Sequence, residues 1–272
     1  MAETTAAPHR DHPEIRRALR RDFHRNLAIG SVLAAIVLGF GVYTELLDLE
    51  RLASGIPAIW QLTTEMVPPD FARWQDWIMP LLDTLGMSIV GTALAVLGSV
   101  PLAFLAAEVT RPNKVAYTLA RGIMNLLRSV PELIMGIVFV AAVGFGTLPG
   151  VLALGLHSIG MVGKFFAESI EHVDPKPVEA ARAAGASELQ VIYHAILPQV
   201  LPQMADVTVY RWEYNFRAST VLGMVGAGGI GFEIMSSLRI LDYQQVFALL
   251  ICTLLMVTLV DALGAQLRRR LK

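Results

Sequence analysis

The chain has 272 residues, of which 54% are hydrophobic and 17% are charged, and its mean hydropathy is +0.55. Soluble domains carry about 25% charged residues, so the composition disfavours a soluble globular protein and favours an integral membrane protein. The formal net charge of −1 hides an uneven distribution along the chain, and the single cysteine, Cys252, excludes a disulfide framework.

Four long segments carry no charged residue, and they lie at 27–43, 84–107, 133–163 and 243–260. A helix of about 20 apolar residues spans the hydrocarbon core of a bilayer. Each segment is near this length, and the third is too long for a single crossing. The pattern therefore predicts several transmembrane helices.

Basic residues flank the predicted membrane region at both ends of the chain. They are Arg10, Arg16, Arg17, Arg20, Arg21 and Arg25 before the first span, and Arg268, Arg269, Arg270 and Lys272 after the last. Because Lys and Arg remain on the cytoplasmic side, both termini are predicted to be cytoplasmic and the number of spans to be even. A nucleic-acid-binding arm is the alternative for the basic N-terminus, but its position beside an apolar run favours the topological interpretation.

The chain divides into a cytoplasmic N-terminal segment (1–26), a first transmembrane helix with an external loop (27–79) and a membrane core (80–272). The predicted spans are 27–46, 81–107, a third that ends near 143 after an amphipathic entry helix at 117–127, 150–168, 203–225 and 243–267. The predicted fold class is an all-α integral membrane protein with six transmembrane helices and both termini cytoplasmic.

The inner loop at 174–202 begins with signals for a short helix. Asp174 precedes Pro175 and can cap a helix whose first residue is proline. Residues 179–184 are mostly strong helix formers. Gly185 then supplies a left-handed stop.

A second helix is predicted after this stop. Ser187, with Gln190 three residues later, forms a capping box, and the helix is predicted to end near Pro198. Two short helices would then meet at Gly185 at a fixed angle. An amphipathic surface hairpin without a partner fits the same signals.

The loop contains Glu179-Ala180-Ala181, Gly185 and Ile196-Leu197-Pro198 at fixed spacing. This pattern resembles the coupling motif of binding-protein-dependent ABC importer permeases, except that Ala195 stands where that family usually has a larger aliphatic residue. The resemblance implies that the loop docks into a groove on a separate cytoplasmic ATPase. The residues implied in this contact are Glu179, Ala180, Ala181 and Gly185.

Other segments of the core resemble particular branches of this family. Residues 128–131 resemble an Arg-Ser-Ile/Val-Pro element of methionine-type importer permeases. Residues 152–171, 214–223 and 225–231 resemble phosphonate-uptake permeases. The resemblance covers roughly residues 80–272 and implies the type I ABC importer permease fold.

The sequence contains no loop that could bind ATP. A P-loop requires G-x-x-x-x-G-K-[ST], and residues 160–165 have the wrong spacing and lack the Ser or Thr. Residues 226–231 satisfy G-x-G-x-x-G, but they follow a predicted span and lack the soluble strand of a dinucleotide site. We therefore expect no cofactor on this chain, ATP on a partner subunit and no enzymatic activity. No metal site is expected.

The fifth predicted span carries three charged residues, Arg211, Glu213 and Arg217. With a rise of about 1.5 Å per residue, the arginines lie near the middle of a bilayer about 30 Å thick. An arginine there costs at least about 2.5 kcal/mol unless it faces a cavity or a partner. Glu213 and Arg217 are four residues apart, so they are predicted to pair on one face.

Two interpretations of these charges stay open at this point. One is a structural ion pair that locks the fifth span. The other is a path for an anion, supported by Thr220 and lined by Arg211, Glu213, Asn215, Arg217 and Ser219.

Three further groups are predicted to act within or between the other spans. Lys164 with Glu168, and Arg128 with Glu132, have the spacing of ion pairs within a helix. We interpret both as structural or gating pairs. His157 either lines a path or, as is more common, makes a hydrogen bond between helices.

The resemblance implies a bacterial inner-membrane permease of an ABC importer for phosphonate or a related small oxyanion such as phosphite or phosphate. The expected partners are a cytoplasmic ATP-binding subunit dimer, an extracytoplasmic solute-binding protein, membrane lipid and a second copy of the chain, but no nucleic acid. A methionine or amino-acid importer permease is the alternative within the family. An ion-coupled secondary transporter is another, but it would often show internal repeats, which the sequence lacks.

Overall fold

The computed structural model of the chain describes the backbone of residues 13–271 and the side chains of residues 21–270. The basic side chains predicted to orient the termini lie partly outside this range, namely Arg10, Arg16, Arg17, Arg20 and Lys272. Between residues 13 and 271 all regular structure is helical. The chain separates into two compact units, residues 1–64 and 65–272.

The first unit contains helix α1 (Pro13–Tyr43) and most of helix α2 (Leu49–Met66). From residue 21 onward α1 is long and apolar enough to cross a membrane, as the sequence predicts. The structure forms helix α2 at residues 49–66, where the sequence predicts an external loop at 47–79. The helix begins after Asp48, whose carboxylate accepts a hydrogen bond from the Arg51 backbone N–H at 3.0 Å, an interaction typical of a helix start.

The second unit begins with a 3₁₀ turn (Trp74–Trp77) and continues with helices α3 to α11. Their bounds are α3 (Ile78–Ala106), α4 (Lys114–Ser129), α5 (Glu132–Val143), α6 (Thr147–Glu171), α7 (Pro175–Ala183), α8 (Glu188–Val191), α9 (Leu197–Leu222), α10 (Gly229–Arg239) and α11 (Tyr243–Leu271). Two π-helical stretches flank α9, at Ile192–Ile196 and Gly223–Ala227.

Two of the predicted spans are bent helix pairs. Helix α4 meets α5 at 84°, and the segment 188–227 meets α10 at 57°. Within the described residues, four helices are therefore long and apolar enough to cross a membrane, or up to six if each bent pair is one span. The higher number agrees with the six predicted spans, whereas the cytoplasmic orientation of the termini stays a prediction.

Helices α3 and α6 pack along each other at the centre of the second unit, and α9 packs against both. Helix α4 also lies close to α6, at Gly160. A Cβ atom at this glycine would lie 2.5 Å from the Met124 carbonyl oxygen and 2.9 Å from the Arg128 backbone nitrogen. The missing side chain at Gly160 thus lets the two backbones touch directly before the bend between α4 and α5.

The start of the inner loop matches the predicted helix signals. The Asp174 side chain accepts a hydrogen bond from the Lys176 backbone N–H at 3.0 Å, and Pro175 is the first residue of α7. Gly185 has a φ of +82°, the left-handed conformation that ends a helix. Ser187 and Gln190 form the predicted capping box of α8.

The predicted end of the second helix near Pro198 is wrong. Helix α8 continues through the first π-helical stretch into α9, so one continuous helical segment runs from residue 188 to residue 222. In this stretch the Leu197 N–H bonds to the Ile192 carbonyl, five residues back. The widened turn accommodates Pro198, which cannot donate a backbone hydrogen bond and would disrupt a regular helix.

Candidate functional site

Helix α9 places its predicted path residues in two stripes that face different neighbours. Arg211, Asn215 and Ser219 recur every four residues and contact α3 and α6. Glu213 and Arg217, also four residues apart, contact α11. The structure therefore brings three of the five predicted residues together and places the other two at a separate interface.

The first stripe forms a buried chain of hydrogen bonds across three helices. Asn215 Nδ2 donates to Thr92 Oγ1 of α3 at 2.9 Å, and Ser158 Oγ of α6 donates to Asn215 Oδ1 at 3.1 Å. Arg211 Nε in turn donates to Ser158 Oγ at 2.7 Å. Ser219 Oγ lies 3.2 Å from a backbone carbonyl of α3. Because Arg211 and Asn215 are 5% and 0% exposed, these contacts fix α9 away from solvent.

The predicted pair between Glu213 and Arg217 is wrong, since each residue pairs with α11. Arg217 Nη1 donates to Asp261 Oδ1 at 2.8 Å, and Arg268 Nη1 donates to Glu213 Oε1 at 2.7 Å. Asp261 and Arg268 are seven residues apart, so one face of α11 presents an opposite charge to each member of the stripe. The sequence feature that indicates a partner for Arg217 is Asp261, a carboxylate inside the sixth predicted span.

Glu132 was missed as a site residue, and its predicted pair with Arg128 is wrong. Pro131 breaks the helix between them, so the two residues lie on different helices and the spacing rule for a single helix does not apply. Glu132 instead lies against the first stripe, where the Tyr214 hydroxyl donates to its Oε1 at 2.8 Å. Pro131 is the signal in the sequence that argues against the pair.

The second carboxylate oxygen of Glu132 lies within ion-pair distance of two nitrogens but makes no hydrogen bond with either. Oε2 lies 3.6 Å from Arg211 Nη2 and 3.7 Å from His157 Nε2. Both Oε2 and Nη2 are buried and have no hydrogen-bond partner among the described residues. A buried polar group left unpaired costs about 1–3 kcal/mol, and more when it is charged. Oε2 and Nη2 therefore form an ion pair without a hydrogen bond in an otherwise hydrogen-bonded network.

The Arg211 side chain is suited to bind an anion. Its guanidinium lies 4.2 Å from the centroid of the Tyr214 ring, a cation–π contact, and one of its N–H groups is taken by Ser158. A guanidinium has five N–H donors in a planar fork that matches the oxygens of a carboxylate or phosphate.

Across the described residues, no group of three or more His, Cys, Asp or Glu side chains could hold a metal ion.

Two further predictions on α6 are confirmed. His157 Nδ1 lies 3.1 Å from the Val130 carbonyl oxygen, which is a hydrogen bond between helix α6 and the break before α5. Lys164 Nζ lies 3.5 Å from Glu168 Oε1, four residues later on the same helix. Both members of this second pair are nearly half exposed, so the pair contributes at most about 1 kcal/mol.

Helix α7 presents the predicted coupling residues on an exposed face. Val178 is buried and anchors the helix to the core. Glu179, Ala180 and Gly185 are exposed, and Ala181 is partly buried against the same core. The predicted contact residues are therefore accessible to another molecule, apart from the inner side of Ala181.

An ion pair closes the corner between α7 and α8. Arg182 donates from Nε and Nη2 to the two carboxylate oxygens of Glu188, at 3.1 and 3.0 Å. The hydrogen bond to Glu188 raises the pKa of the Arg182 guanidinium above its ordinary value. Beyond this corner, Leu189 and Tyr193 are 78% and 66% exposed. The outer surface of the loop is thus partly apolar and has a fixed bend.

Comparison with known proteins identifies relatives over the whole chain. Residues 99–272 match the family of binding-protein-dependent transport system inner membrane components. The chain is 58% identical over 270 residues to the phosphite transport system permease protein PtxC of Stutzerimonas stutzeri, covering 99% of this chain and 98% of that protein. It is 42% identical over 218 residues to the phosphate-import permease protein PhnE of Mycolicibacterium smegmatis, covering 80% and 41% of the two chains.

Solved structures share the fold at lower sequence identity. An inward-facing structure of the MetNI methionine ABC transporter superposes with a TM-score of 0.63 at 20% identity, covering 72% of this chain and 96% of that one. A bacterial ABC transporter involved in the import of alginate gives a TM-score of 0.57 at 16% identity, covering 93% and 99%. At these identities the likeness shows the fold alone.

Proposed function

Because this chain belongs to the family of binding-protein-dependent transport system inner membrane components, we propose that it carries phosphite or a closely related phosphorus oxyanion across the inner membrane. The chain is a multi-pass permease subunit of an ABC importer and not an enzyme. The observation that carries the proposed substrate is the 58% identity to a phosphite transport permease over nearly the full length of both chains.

Arg211 is our proposed anion-binding group of the translocation path, with Asn215 and Ser219 beside it on the same stripe of α9. A buried guanidinium supplies the positive charge that an oxyanion requires in a medium of low polarity. Asn215 and Ser219 hold α9 in place, because both are fully buried and bonded to neighbouring groups. We assign Glu213 and Arg217 to the contact with α11, since both are paired there.

The coupling surface on α7 is our proposed docking site for a cytoplasmic ATP-binding subunit dimer. The exposure of Glu179, Ala180 and Gly185 supports this role, as does the fixed corner that follows α7. Small side chains allow a partner to approach the helix closely. An extracytoplasmic binding protein would deliver the anion, and a second copy of the chain would complete the path.

Substrate uptake by the assembled transporter tests this proposal. The permease, its ATPase and its binding protein are reconstituted in proteoliposomes, and ATP-dependent uptake of phosphite, phosphate, methylphosphonate and methionine is measured in parallel. We expect uptake of phosphorus oxyanions, with phosphite fastest, and none of methionine. Vesicles without ATP serve as the control.

Two results would overturn the proposal. Uptake of methionine without any oxyanion would assign the chain to an amino-acid importer. Uptake of phosphite that follows an ion gradient, with no ATPase in the vesicles, would assign it to secondary transport.

A further inference from the structure

Glu132 and Arg211 face each other at a buried site without forming a hydrogen bond. Three groups converge there, namely Glu132 Oε2, Arg211 Nη2 and His157 Nε2, at separations of 3.6 and 3.7 Å from the carboxylate oxygen. They come from three separate helices, α5, α9 and α6. Opposite charges in contact normally close to a hydrogen bond of about 2.7–2.9 Å, but this pair does not.

The neighbouring contacts hold each group at this distance. Tyr214 binds the other oxygen of Glu132, Ser158 binds Nε of Arg211, and the Val130 carbonyl faces Nδ1 of His157. The carboxylate therefore lies in front of the guanidinium without being fully bonded to it. A group held this loosely can leave at lower cost than one in a bidentate pair.

We propose that the Glu132 carboxylate is an internal counter-ion, which occupies the anion site of Arg211 in the empty permease and is displaced by the incoming oxyanion. This role rests on the proposed function, since it requires an anionic substrate. A carboxylate resembles a phosphorus oxyanion in its charge and in its paired oxygens. Glu132 thereby neutralises Arg211 inside the membrane whenever no substrate is bound.

The helix break beside Glu132 provides a route for its displacement. Glu132 is the first residue of α5, directly after Pro131, where α4 and α5 meet at 84°. Helix α4 is held against α6 by the close backbone contact at Gly160. Reorientation of α5 relative to this fixed pair would move the carboxylate away from Arg211 while His157 stays in place on α6.

Displacement of the Glu132 carboxylate would also make the site selective for negatively charged solutes. Only a solute with a negative charge can replace the carboxylate without leaving the Arg211 guanidinium unpaired in the membrane. A zwitterion such as methionine brings an ammonium group with its carboxylate, and the Arg211 guanidinium repels this second positive charge. Glu132 is therefore a specificity-determining residue.

Anion binding by the purified permease–ATPase complex, without the binding protein, tests the counter-ion role. Equilibrium dialysis with radiolabelled inorganic phosphate, and competition by phosphite, gives the dissociation constants. Glu132→Gln keeps the size of the side chain but removes its charge. We expect it to tighten phosphate and phosphite binding about tenfold or more relative to the wild type, a change of at least about 1.4 kcal/mol.

Two companion variants separate this role from a structural one. Glu171→Gln removes the carboxylate of another ion pair, with Arg121 at 2.7 Å, outside the site, and should leave anion binding at the wild-type value. Glu132→Gln combined with Arg211→Gln should lose the gained affinity. A Glu132 that only stabilises the fold would lower the thermal stability of the Gln variant without any gain in anion binding.

If the Gln variant does not fold, Glu132→Asp provides the measurement, because it keeps the charge but draws it back from Arg211. Anion binding by the Asp variant should exceed that of the wild type. Wild-type binding in whichever of the two variants folds would overturn the counter-ion role. The proposed function is judged separately by wild-type uptake: phosphite uptake with unchanged anion binding in the variants would leave that function standing and remove only the role of Glu132.

Discussion

At the scale of single residues, three charged side chains of α9 each lie near an opposite charge on another helix. Glu213 meets Arg268, Arg217 meets Asp261, and Arg211 faces Glu132. The three pairs differ in the exposed fraction of their side chains and in the distance between their charged atoms. The Glu213 side chain is 7% exposed in a 2.7 Å contact, whereas those of Arg217 and Asp261 are 44% and 47% exposed. The energetic contributions of the pairs should therefore differ as well.

Removing the charge of Glu213 should destabilise the permease more than removing that of Arg217. Glu213→Gln leaves Arg268 partly buried without its counter-ion, at a cost of about 1–3 kcal/mol. Arg217→Gln breaks a half-exposed pair, at a cost below about 1 kcal/mol. Thermal unfolding of the detergent-purified variants measures the difference. Equal or reversed losses of stability would show that burial does not set the strength of these two pairs.

Residue spacing predicts some of these contacts and misses others for a physical reason. Spacing within one helix identifies Lys164–Glu168, because both partners belong to the same continuous helix. It fails for Arg217, whose partner lies on α11, since the sequence does not state which helices pack together. It also fails for Glu132, because the break at Pro131 changes the direction of the chain.

At the scale of helices, α8, the π-helical stretch and α9 connect the coupling surface to the buried site. The helical segment is continuous from residue 188, next to the exposed corner, to residue 222, beyond Arg211. The Asp174 backbone N–H donates to Gln199 Oε1 at 2.9 Å, which ties the start of α7 to α9. In the proposed coupling, a movement of the loop is transmitted along α9 to Arg211.

Gly185 is the residue on which this connection depends. Its φ of +82° is strained for a β-branched residue, so Gly185→Val should distort the corner between α7 and α8 at a cost of about 1–2 kcal/mol. We expect loss of ATPase co-purification while the membrane helices remain folded. Gly122→Ala on the exposed face of α4 is the matched control, since an added Cβ there meets no atom within 4 Å.

Retention of the ATPase by Gly185→Val, at the level of the Gly122→Ala control, would contradict the coupling role.

The caps that define this corner are local in sequence, which is why Asp174, Gly185 and the capping box at Ser187 could be predicted. The continuation through Pro198 could not, because a π-helical stretch has no short sequence signature. Helix α2 was likewise not predicted, and it contains Pro57.

At the scale of the whole molecule, the second unit has the fold of ABC importer permeases. Its two bent helix pairs both contribute to the site, since Glu132 lies on α5 and Arg211 on α9. The first break places Glu132 against Arg211, and the second follows α9. The hydropathy pattern identifies the spans, because lipid imposes length and composition on each helix. Pro131 marks the position of the first bend in the sequence, whereas the angles of both bends depend on how α4 and α10 pack against their neighbours.

ATP-dependent phosphite uptake by Arg211→Gln compared with Arg217→Gln, in proteoliposomes matched for ATPase content, tests the proposed anion site most directly. Arg211 belongs to the proposed anion site, whereas Arg217 belongs to the contact with α11. We predict that Arg211→Gln lowers uptake about tenfold or more, equivalent to about 1.4 kcal/mol, and that Arg217→Gln has a much smaller effect. Wild-type uptake by Arg211→Gln, with or without a loss in Arg217→Gln, would contradict it.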